Sequence, residues 1–598
     1  MKIIKFFYEK YRNLIENSLF VIILAFYPLI RINQGLDVSD TAYSLVNFQY
    51  FPSADGTWQT ATYLANAAGY LFMQLPKGDT LLGMNFYTGL IVSFIALLFY
   101  YTMRKKMPAW IAFMGEMLAV GLCWCPTVIL YNYLTYVFMG AGILLLYKGI
   151  CAKGNRVRLV LLFMAGVCLG VNVTVRMPNV VQAVFILALW YAAWRRHDSL
   201  ERTWKDTLTC LFGYFTGFFI PFLTICIKYG IGAYPAMVKD LFAMTEQAAD
   251  YKPASMLTGM FGDYGSGLYG LLFAGLWVGG LYIVYFIKER VWPHTGRRLY
   301  GLFCAGTGLV LIRFYWGQGM FTFQYYNYRG IFFWAVLFLL MTAACALSVL
   351  IGKKRETEDK ALALIVLLQM FVTPLGGNNG LYPMINNLFL AAPFTIWVCG
   401  GWFVSAGKKE LHVPWKCMCL LFGGMVFLQS IGFHAQFVFQ DGVWGEKRDT
   451  LLTDMPKVSG IYTNKENAET FCDLTAYAVK EGLAGEKVIL YGEIPGISYF
   501  LDMPAAISTS WPDLDSYRLE RFLQDMEAVE SNMDEERPVV IVSSAVAAYK
   551  GEDAKAYEWF GVDTDAYDQD RKLAVLLDFL DAYGYEETFC NMRYAVYK

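Results

Sequence analysis

Two aspartates, Asp37 and Asp40, stand three residues apart in the segment Asp37-Val-Ser-Asp40-Thr-Ala-Tyr43, just after the first long apolar run. If this stretch is helical, the spacing puts both carboxylates on one face. Carboxylates at a membrane surface can act as a general base toward a hydroxyl group or can bind a metal ion. The alternative is a structural role, in which Asp40 caps a helix that begins at Thr41 and Asp37 is solvated.

The composition indicates which elements position this acidic segment. Hydrophobic residues make up 57% of the 598 residues and charged residues 17%, whereas a water-soluble domain has about 45 to 50% and about 25%. One helical crossing of a bilayer needs about 20 mostly apolar residues. We predict thirteen such helices within the first 435 residues, at roughly 14–31, 82–103, 108–125, 127–148, 158–175, 179–194, 207–228, 265–287, 299–315, 329–351, 361–375, 382–405 and 416–435.

The basic residues predict how these helices are oriented. Lys and Arg are concentrated on alternate connections, and positive residues near span ends are retained in the cytoplasm. The N-terminus is therefore expected in the cytoplasm, and an odd number of spans puts the C-terminal end outside. No small-x-small cleavage pattern follows the first apolar run, so we expect that helix to be retained. A long outer loop, about 32–81, then follows it, with two aromatic stretches that suit helices lying in the membrane interface, Val46–Phe51 and Trp58–Leu75.

After about residue 436 the composition becomes that of a soluble protein. Lys487–Tyr491 and Pro538–Val542 are typical of buried strands, and helical stretches at about 466–483, 516–532 and 570–583 separate them. A final segment, Thr588–Tyr597, is expected to form a closing strand or hairpin. We therefore predict a polytopic α-helical membrane domain over 1–436 and an extracytoplasmic α/β domain over 437–598.

Only two of the thirteen cysteines, Cys472 and Cys590, fall in this soluble part. They form either a disulfide, if that side of the membrane is oxidising, or two buried thiols.

The layout resembles that of the GT-C class of membrane glycosyltransferases. In that class a cytoplasmic N-terminus and one helix precede a long outer loop that opens with acidic residues and a nearby tyrosine. The class includes the protein O-mannosyltransferases, the aminoarabinose transferase of lipid A and the catalytic subunit of oligosaccharyltransferase. Its first outer loop carries an Asp-Glu, Glu-Asp or Asp-x-x-Tyr signature whose carboxylate is catalytic. The resemblance implies that Asp40 is this carboxylate, that Asp37 is a neighbouring candidate, and that Tyr43 lies at the substrate. The resemblance extends over the whole chain in the layout of the helices, but the matching motif consists of these few residues only.

The sequence departs from the class in the next outer loop, where several members carry a second acid. Here Cys125-Pro-Thr127 offers none, and Glu116, near the middle of the third span, is the only acid close by. An ionisable residue at that depth usually faces the bundle interior or a water-filled cavity. Glu116 either contacts substrate or is hydrogen-bonded to Asn132 or Thr135 as a helix-packing contact. Because this second acid is missing, the sequence allows a bound divalent metal ion but does not indicate one.

The class takes its sugar from a polyprenyl-phosphate or diphosphate donor, so the resemblance implies that the outer face binds a lipid phosphate. Arginine suits that role because it stays charged and binds phosphate oxygens bidentately. Arg176, Arg313 and Arg329 lie at predicted outer span ends, where the alternative is that each extends to lipid headgroups. Asn132 and the amides Asn378 and Asn379 of the turn Gly376–Tyr382 are candidates for binding sugar hydroxyls, or else are ordinary turn and interface residues.

The sequence thus favours a glycosyltransferase that uses a polyprenyl-phosphate sugar donor at the outer face of a plasma membrane, with an unidentified glycan, lipid or protein as acceptor. The alternatives are a transporter or flippase of an anionic or lipid-linked substrate, and a glycan polymerase or ligase. A net charge of −1 gives no reason to expect a nucleic acid partner. The turn Gly492-Glu-Ile-Pro-Gly496 lacks the spacing and the Lys-Ser/Thr pair of a phosphate-binding loop.

Overall fold

The computed structural model describes residues 2–51, 53, 59–125, 127–247, 252–291, 296–325, 329–406, 415–441, 446–514, 516–544, 546 and 571–598. Helices dominate up to residue 436, and a helix lies within each of the thirteen predicted spans or overlaps it. By length and composition, nine helices within the described residues can cross a membrane. The helices at the predicted spans are Arg12–Leu29, Leu81–Met103, Ala109–Leu122, Leu130–Cys151, Asn155–Val175, Met177–Arg196, Leu200–Tyr229, Pro253–Val291, Gly296–Gly317, Arg329–Ile351, Thr357–Val372, Ala391–Ala406 and Trp415–Gln436.

Three predicted spans are less regular than expected. The helix at Ala109–Leu122 is only 14 residues long, and the sixth span begins as a 3-10 helix, Met177–Phe185. The predicted span at 382–405 is broken into a short helix, Tyr382–Ile385, and a longer one that begins at Ala391. The break coincides with two buried amide residues at 386 and 387. Pro393 then falls in the first turn of the new helix, where a missing N–H costs no hydrogen bond.

Polar contacts join several of the basic connections at one end of the bundle. Lys106 forms an ion pair with Asp359 at 2.6 Å, and Arg196 forms one with Glu358 at 2.7 Å. Arg196 also donates to the carbonyl oxygen of Ile150 at 2.6 Å. These residues lie at four connections that are all predicted to share one side of the membrane, and the structure brings the four connections together.

One helix pair crosses at glycine contacts. A Cβ atom at Gly166 would lie 2.0 Å from the carbonyl oxygen of Cys210, and one at Gly213 would lie 2.1 Å from that of Phe163. The helices Asn155–Val175 and Leu200–Tyr229 therefore pack with their backbones in contact, as small residues allow within membranes.

The loop predicted to lie outside contains two helices, Asp40–Gln49 and Tyr63–Met73, close to where the aromatic stretches predict them. The first of these helices begins with Asp40. Its position is fixed by packing against the C-terminal part of the chain.

That C-terminal part contains a four-stranded sheet with the order β3-β4-β6-β5, where β3 is Val488–Tyr491, β4 is Val539–Ser543, β5 is Glu587–Cys590 and β6 is Tyr594–Tyr597. The pair β3 and β4 is parallel, and the other pairs are antiparallel. Two short strands, β1 (Thr450–Leu451) and β2 (Tyr462–Thr463), form a separate antiparallel pair. The predicted strands and the closing hairpin are confirmed. The predicted helices are found at Lys465–Glu481, Leu519–Glu530 and Arg571–Ala582.

Every residue of β3 is buried because helices cover both faces of the sheet. Val488 and Leu490 point to a cluster with Phe471 of Lys465–Glu481, whereas Ile489 and Tyr491 point to the opposite face. The first cluster also includes residues of the outer loop, so the sheet and this loop share one apolar core.

A buried carboxylate secures this junction. Asp441 accepts hydrogen bonds from the backbone N–H of Leu36 at 3.0 Å and from Asn467 at 2.9 Å. It also pairs with Arg448 at 2.7 Å, and the Asp441 side chain is fully buried. The segment after the last apolar helix is therefore tied to the start of the outer loop. The division of the chain into domains at residue 436 stays a prediction.

Cys472 and Cys590 are both exposed and unbonded. Neither a disulfide nor a pair of buried thiols is found, because Cys472 lies on the outer face of its helix and Cys590 ends the edge strand β5.

Candidate functional site

The buried Asp37 carboxylate shapes the turn that precedes the helix Asp40–Gln49. One oxygen accepts the N–H and the hydroxyl of Ser39 at 2.8 and 2.7 Å, and the other accepts the N–H of Thr41 at 2.7 Å. Burial raises the pKa of Asp37, although these hydrogen bonds act to lower it. The structural alternative expected Asp40 to cap this helix and Asp37 to be solvated, and that assignment is wrong. Asp37 provides the cap because its carboxylate accepts the N–H of Thr41, one of the N–H groups in the first turn that have no partner within the helix.

Asp40 is the first residue of this helix, and its side chain is half-buried. Within the described residues its carboxylate makes no hydrogen bond and no ion pair, in contrast to Asp37. Burial, and then the negative charges of Asp37 and Glu493, raise the pKa of Asp40 to about 7. A carboxylate with these properties exchanges protons near neutral pH, which suits a general base.

In the part of the chain that the structure describes, no group of three or more His, Cys, Asp or Glu side chains is placed to hold a metal ion.

A turn from the C-terminal sheet lies against the residues that flank Asp40. The N–H of Gly496 donates to the carbonyl oxygen of Val38 at 2.8 Å. A Cβ atom at Gly496 would lie 2.2 Å from that of Ala42, so only glycine fits this contact. Glu493 belongs to the same turn, and its charge acts on Asp40. Sequence reasoning missed Glu493; the available signal was a pair of glycines closing a short turn after a buried strand, a pattern typical of close backbone approach.

The segment that follows this turn contributes an aromatic wall beside Tyr43. The rings of Tyr43 and Trp511 meet edge to face, with centroids 5.3 Å apart. The Tyr43 hydroxyl lies 3.5 Å from that of Thr509. Tyr43, predicted to lie at the substrate, is thus brought together with a tryptophan from the C-terminal part. Aromatic faces and hydroxyl groups are suited to contact with a polar organic substrate.

Asp513 lies behind the turn that carries Glu493. Its carboxylate accepts the N–H of Glu493 at 2.7 Å, and burial raises the pKa of Asp513 to about 6. The site thus contains carboxylates from the outer loop and from the C-terminal part.

Arg176 follows the helix Asn155–Val175 and binds the turn that connects two later spans. Its guanidinium donates to the carbonyl oxygen of Gly376 and lies over the Tyr131 ring, 5.7 Å from its centroid. Val175 belongs to the same apolar cluster as Val38. The residue before Arg176 and the residues that flank Asp40 therefore belong to one apolar cluster.

The three candidate amides lie on the two segments that Arg176 contacts. Asn132 follows Tyr131 and is half-buried, and its side chain makes no hydrogen bond within the described residues. Asn378 and Asn379 are exposed in the turn that Arg176 binds. On its other side this turn is held by Asp263, which accepts the N–H of Leu381 at 3.0 Å.

Arg313, also predicted to bind the donor phosphate, does not join this group. It is exposed on the helix Gly296–Gly317, where it lines an apolar groove of about 520 Å³ with Phe273 and Phe314. In the part of the chain that the structure describes, no hydrogen bond, ion pair or ring contact links it to Arg176 or Asp40. The sequence position of Arg313 near the end of a span did not show which other helices lie beside it. The side chain of Arg329 lies outside the described residues.

Glu116 is completely buried, and neither of its carboxylate oxygens has a hydrogen-bond partner among the described residues. The predicted alternative of a hydrogen bond to Asn132 or Thr135 is not found. The Thr135 hydroxyl instead accepts from Asn179 at 2.8 Å, because the short 3-10 segment after Arg176 carries that amide inward.

No protein-family model and no curated protein matches the sequence significantly. Among solved structures, the chain is similar to the Archaeoglobus fulgidus oligosaccharyltransferase in complex with Zn and sulfate, with a TM-score of 0.46 and 13% identity over 90% of this chain and 69% of that chain. A structure of the same enzyme tethered with an acceptor peptide containing the NVT sequon has a TM-score of 0.45 and 11% identity over 93% of this chain and 72% of that chain. These scores do not assign the chain to a family.

Proposed function

We propose that this chain is a membrane glycosyltransferase that moves a sugar from a polyprenyl-phosphate donor to an acceptor at the outer face of the plasma membrane. The observation that carries the proposal is the state of Asp40. Its carboxylate is half-buried, without a partner among the described residues, and has a pKa raised to about 7. The carboxylate of Asp37, by contrast, is held by hydrogen bonds from Ser39 and Thr41, the usual state of a buried polar group.

Asp40 acts as general base in this mechanism. It accepts the proton of an acceptor hydroxyl as the acceptor oxygen attacks the anomeric carbon of the sugar. The bond from that carbon to the donor phosphate breaks, and the lipid phosphate leaves with the bonding electrons. Attack opposite the leaving group inverts the anomeric centre. Asp37 assists by fixing the turn that presents Asp40.

The donor phosphate is bound by Arg176. Its guanidinium is held by Gly376 and Tyr131, which orients it without neutralising its charge. Asn132 follows Tyr131, the exposed Asn378 and Asn379 belong to the turn of Gly376, and all three supply donors for sugar hydroxyls. Arg313, in its apolar groove, is a further candidate for a lipid phosphate whose chain lies against Phe273.

The C-terminal part selects the acceptor. Trp511 contacts Tyr43, and the turn of Glu493 packs beside Asp40. In this arrangement the N-terminus is cytoplasmic, and the domain over 437–598 covers the site on the outer side.

The test uses purified protein in lipid vesicles with polyprenyl-phosphate sugars, radiolabelled in the sugar, and with glycan, lipid and peptide acceptors offered separately. Appearance of label on an acceptor supports the proposal. Label that only crosses the bilayer identifies a transporter or flippase, and label joined into longer lipid-linked chains identifies a polymerase or ligase. A transport path through Glu116 requires access to that carboxylate, which is fully enclosed.

A further inference from the structure

The turn Gly492-Glu-Ile-Pro-Gly496 is anchored at both ends. Gly492 follows β3 with φ +95°, and a Cβ atom there would lie 2.2 Å from the Ser543 hydroxyl oxygen on β4. At the other end, the N–H of Gly496 binds the carbonyl oxygen of Val38 at 2.8 Å. The turn therefore has little freedom to move relative to either the sheet or the outer loop.

Glu493 itself is held in a conformation that residues other than glycine rarely adopt, with φ +60°. Its N–H donates to the half-buried Asp513 carboxylate at 2.7 Å. The next residue, Ile494, is buried in the same apolar cluster as Val38 and Ala42. The backbone of this turn is therefore strained at Glu493, the residue whose negative charge acts on Asp40.

The charges that act on Asp40 come from two elements. Asp37 acts from its own turn and Glu493 from the C-terminal part. Asp513 lies behind Glu493, and the Lys572 ammonium approaches Asp513 while donating to the carbonyl oxygen of Pro512 at 2.6 Å. Within the described residues, no cation pairs with Asp40.

We propose that Glu493 is a positioning residue of the transfer site, an inference that rests on the proposed function. Its carboxylate strengthens Asp40 as a base toward the acceptor hydroxyl. A general base gains from a proton affinity near the working pH, whereas an ordinary carboxylate accepts a proton poorly there. Because Glu493 comes from the C-terminal part, a fully active site forms only when that part is docked on the outer loop.

The first test measures protonation of Asp40 without any transfer. Carbodiimide couples to protonated carboxyl groups, so labelling of Asp40 is followed by peptide mapping of the full-length protein between pH 5 and 8.5. In the unmodified protein we expect half-maximal labelling near pH 7. Glu493→Gln should move that midpoint down by about half a pH unit or more. Glu493→Asp should restore most of the shift.

The matched control is Glu486→Gln, an exposed glutamate at the opposite end of β3, which should leave the midpoint unchanged. Size-exclusion chromatography of Glu493→Gln establishes that the variant is folded. An unchanged midpoint in folded Glu493→Gln would overturn the proposal.

The second test repeats the pH series on transfer to acceptor, where the acidic limb of Glu493→Gln should move down by the same amount. If the unmodified protein transfers no sugar but Glu493→Gln still lowers the labelling midpoint, the proposed function fails. Only the effect of the Glu493 charge on Asp40 then remains. If transfer occurs and its acidic limb is the same in both proteins, the role of Glu493 fails alone.

Discussion

The N–H of Gly496 donates a hydrogen bond to the carbonyl oxygen of Val38 at 2.8 Å. This contact joins the turn after β3 to the outer loop two residues before Asp40. The side chains of the proposed site consequently come from distant parts of the sequence. Asp40 and Tyr43 come from the first outer loop, whereas Glu493 and Trp511 come from the C-terminal part.

The pH dependence of transfer should follow the protonation of Asp40. A general base works only when deprotonated, and the pKa of Asp40 is raised to about 7. The rate should therefore rise with pH between 5 and 8, with a midpoint near 7, and fall by about tenfold for each further pH unit below the midpoint. The measurement is kcat/KM for donor across this range. A midpoint below pH 5 would mean that an ordinary carboxylate, or no carboxylate, controls the reaction.

Removal of the Arg176 guanidinium should weaken donor binding. Arg176→Ala should raise the KM for the lipid-linked sugar by about tenfold or more, and Arg176→Lys should recover only part of the loss because an ammonium cannot bind bidentately. Arg298→Ala, at an exposed arginine in a predicted cytoplasmic connection, is the control. An unchanged KM in Arg176→Ala would remove Arg176 from the donor site.

The sequence was sufficient to predict the helices, the sheet strands and the acidic loop after the first span, because each is encoded by a local pattern of apolar length, periodicity or spacing. It was insufficient where a role depends on long-range packing. The two glycines around Glu493 indicate only a tight turn, since the proximity of Glu493 to Asp40 depends on the docking of Gly496. Asp40 was the predicted cap, but Asp37 accepts the N–H of Thr41. Residue type alone could not show which of the two carboxylates reaches this N–H group. Arg313 and Arg176 occupy similar positions on their spans but have different neighbours.

Loss of the charge on Asp441 should loosen the attachment of the C-terminal part. Asp441→Asn leaves Arg448 without its buried partner, and breaking a buried pair costs about 3 to 5 kcal/mol. We expect a lower melting temperature in detergent and faster proteolysis near residues 446–465. Asp454→Asn, at an exposed carboxylate in the same segment, should change neither. Equal stability of the two variants would show that Asp441 does not secure the junction.

Enlarging Gly166 should disrupt the crossing of two helices. In Gly166→Ala the new Cβ would lie 2.0 Å from the carbonyl oxygen of Cys210, and overpacking of this kind costs about 1 to 3 kcal/mol. Gly275→Ala is the control, because nothing lies within 4 Å of its Cβ position and alanine favours a helix. A melting temperature that falls in the first variant and not in the second confirms the contact; equal values contradict it.

The central claim is that Asp40 performs the proton transfer, and its most direct test is the transfer rate of Asp40→Asn in vesicles under saturating donor and acceptor. The asparagine preserves the shape of the side chain but cannot accept a proton. Since general base catalysis contributes about 10² to 10⁴ in rate, the variant should lose at least a hundredfold in kcat while eluting as a folded, membrane-inserted protein. A kcat equal to that of the unmodified protein would contradict the account.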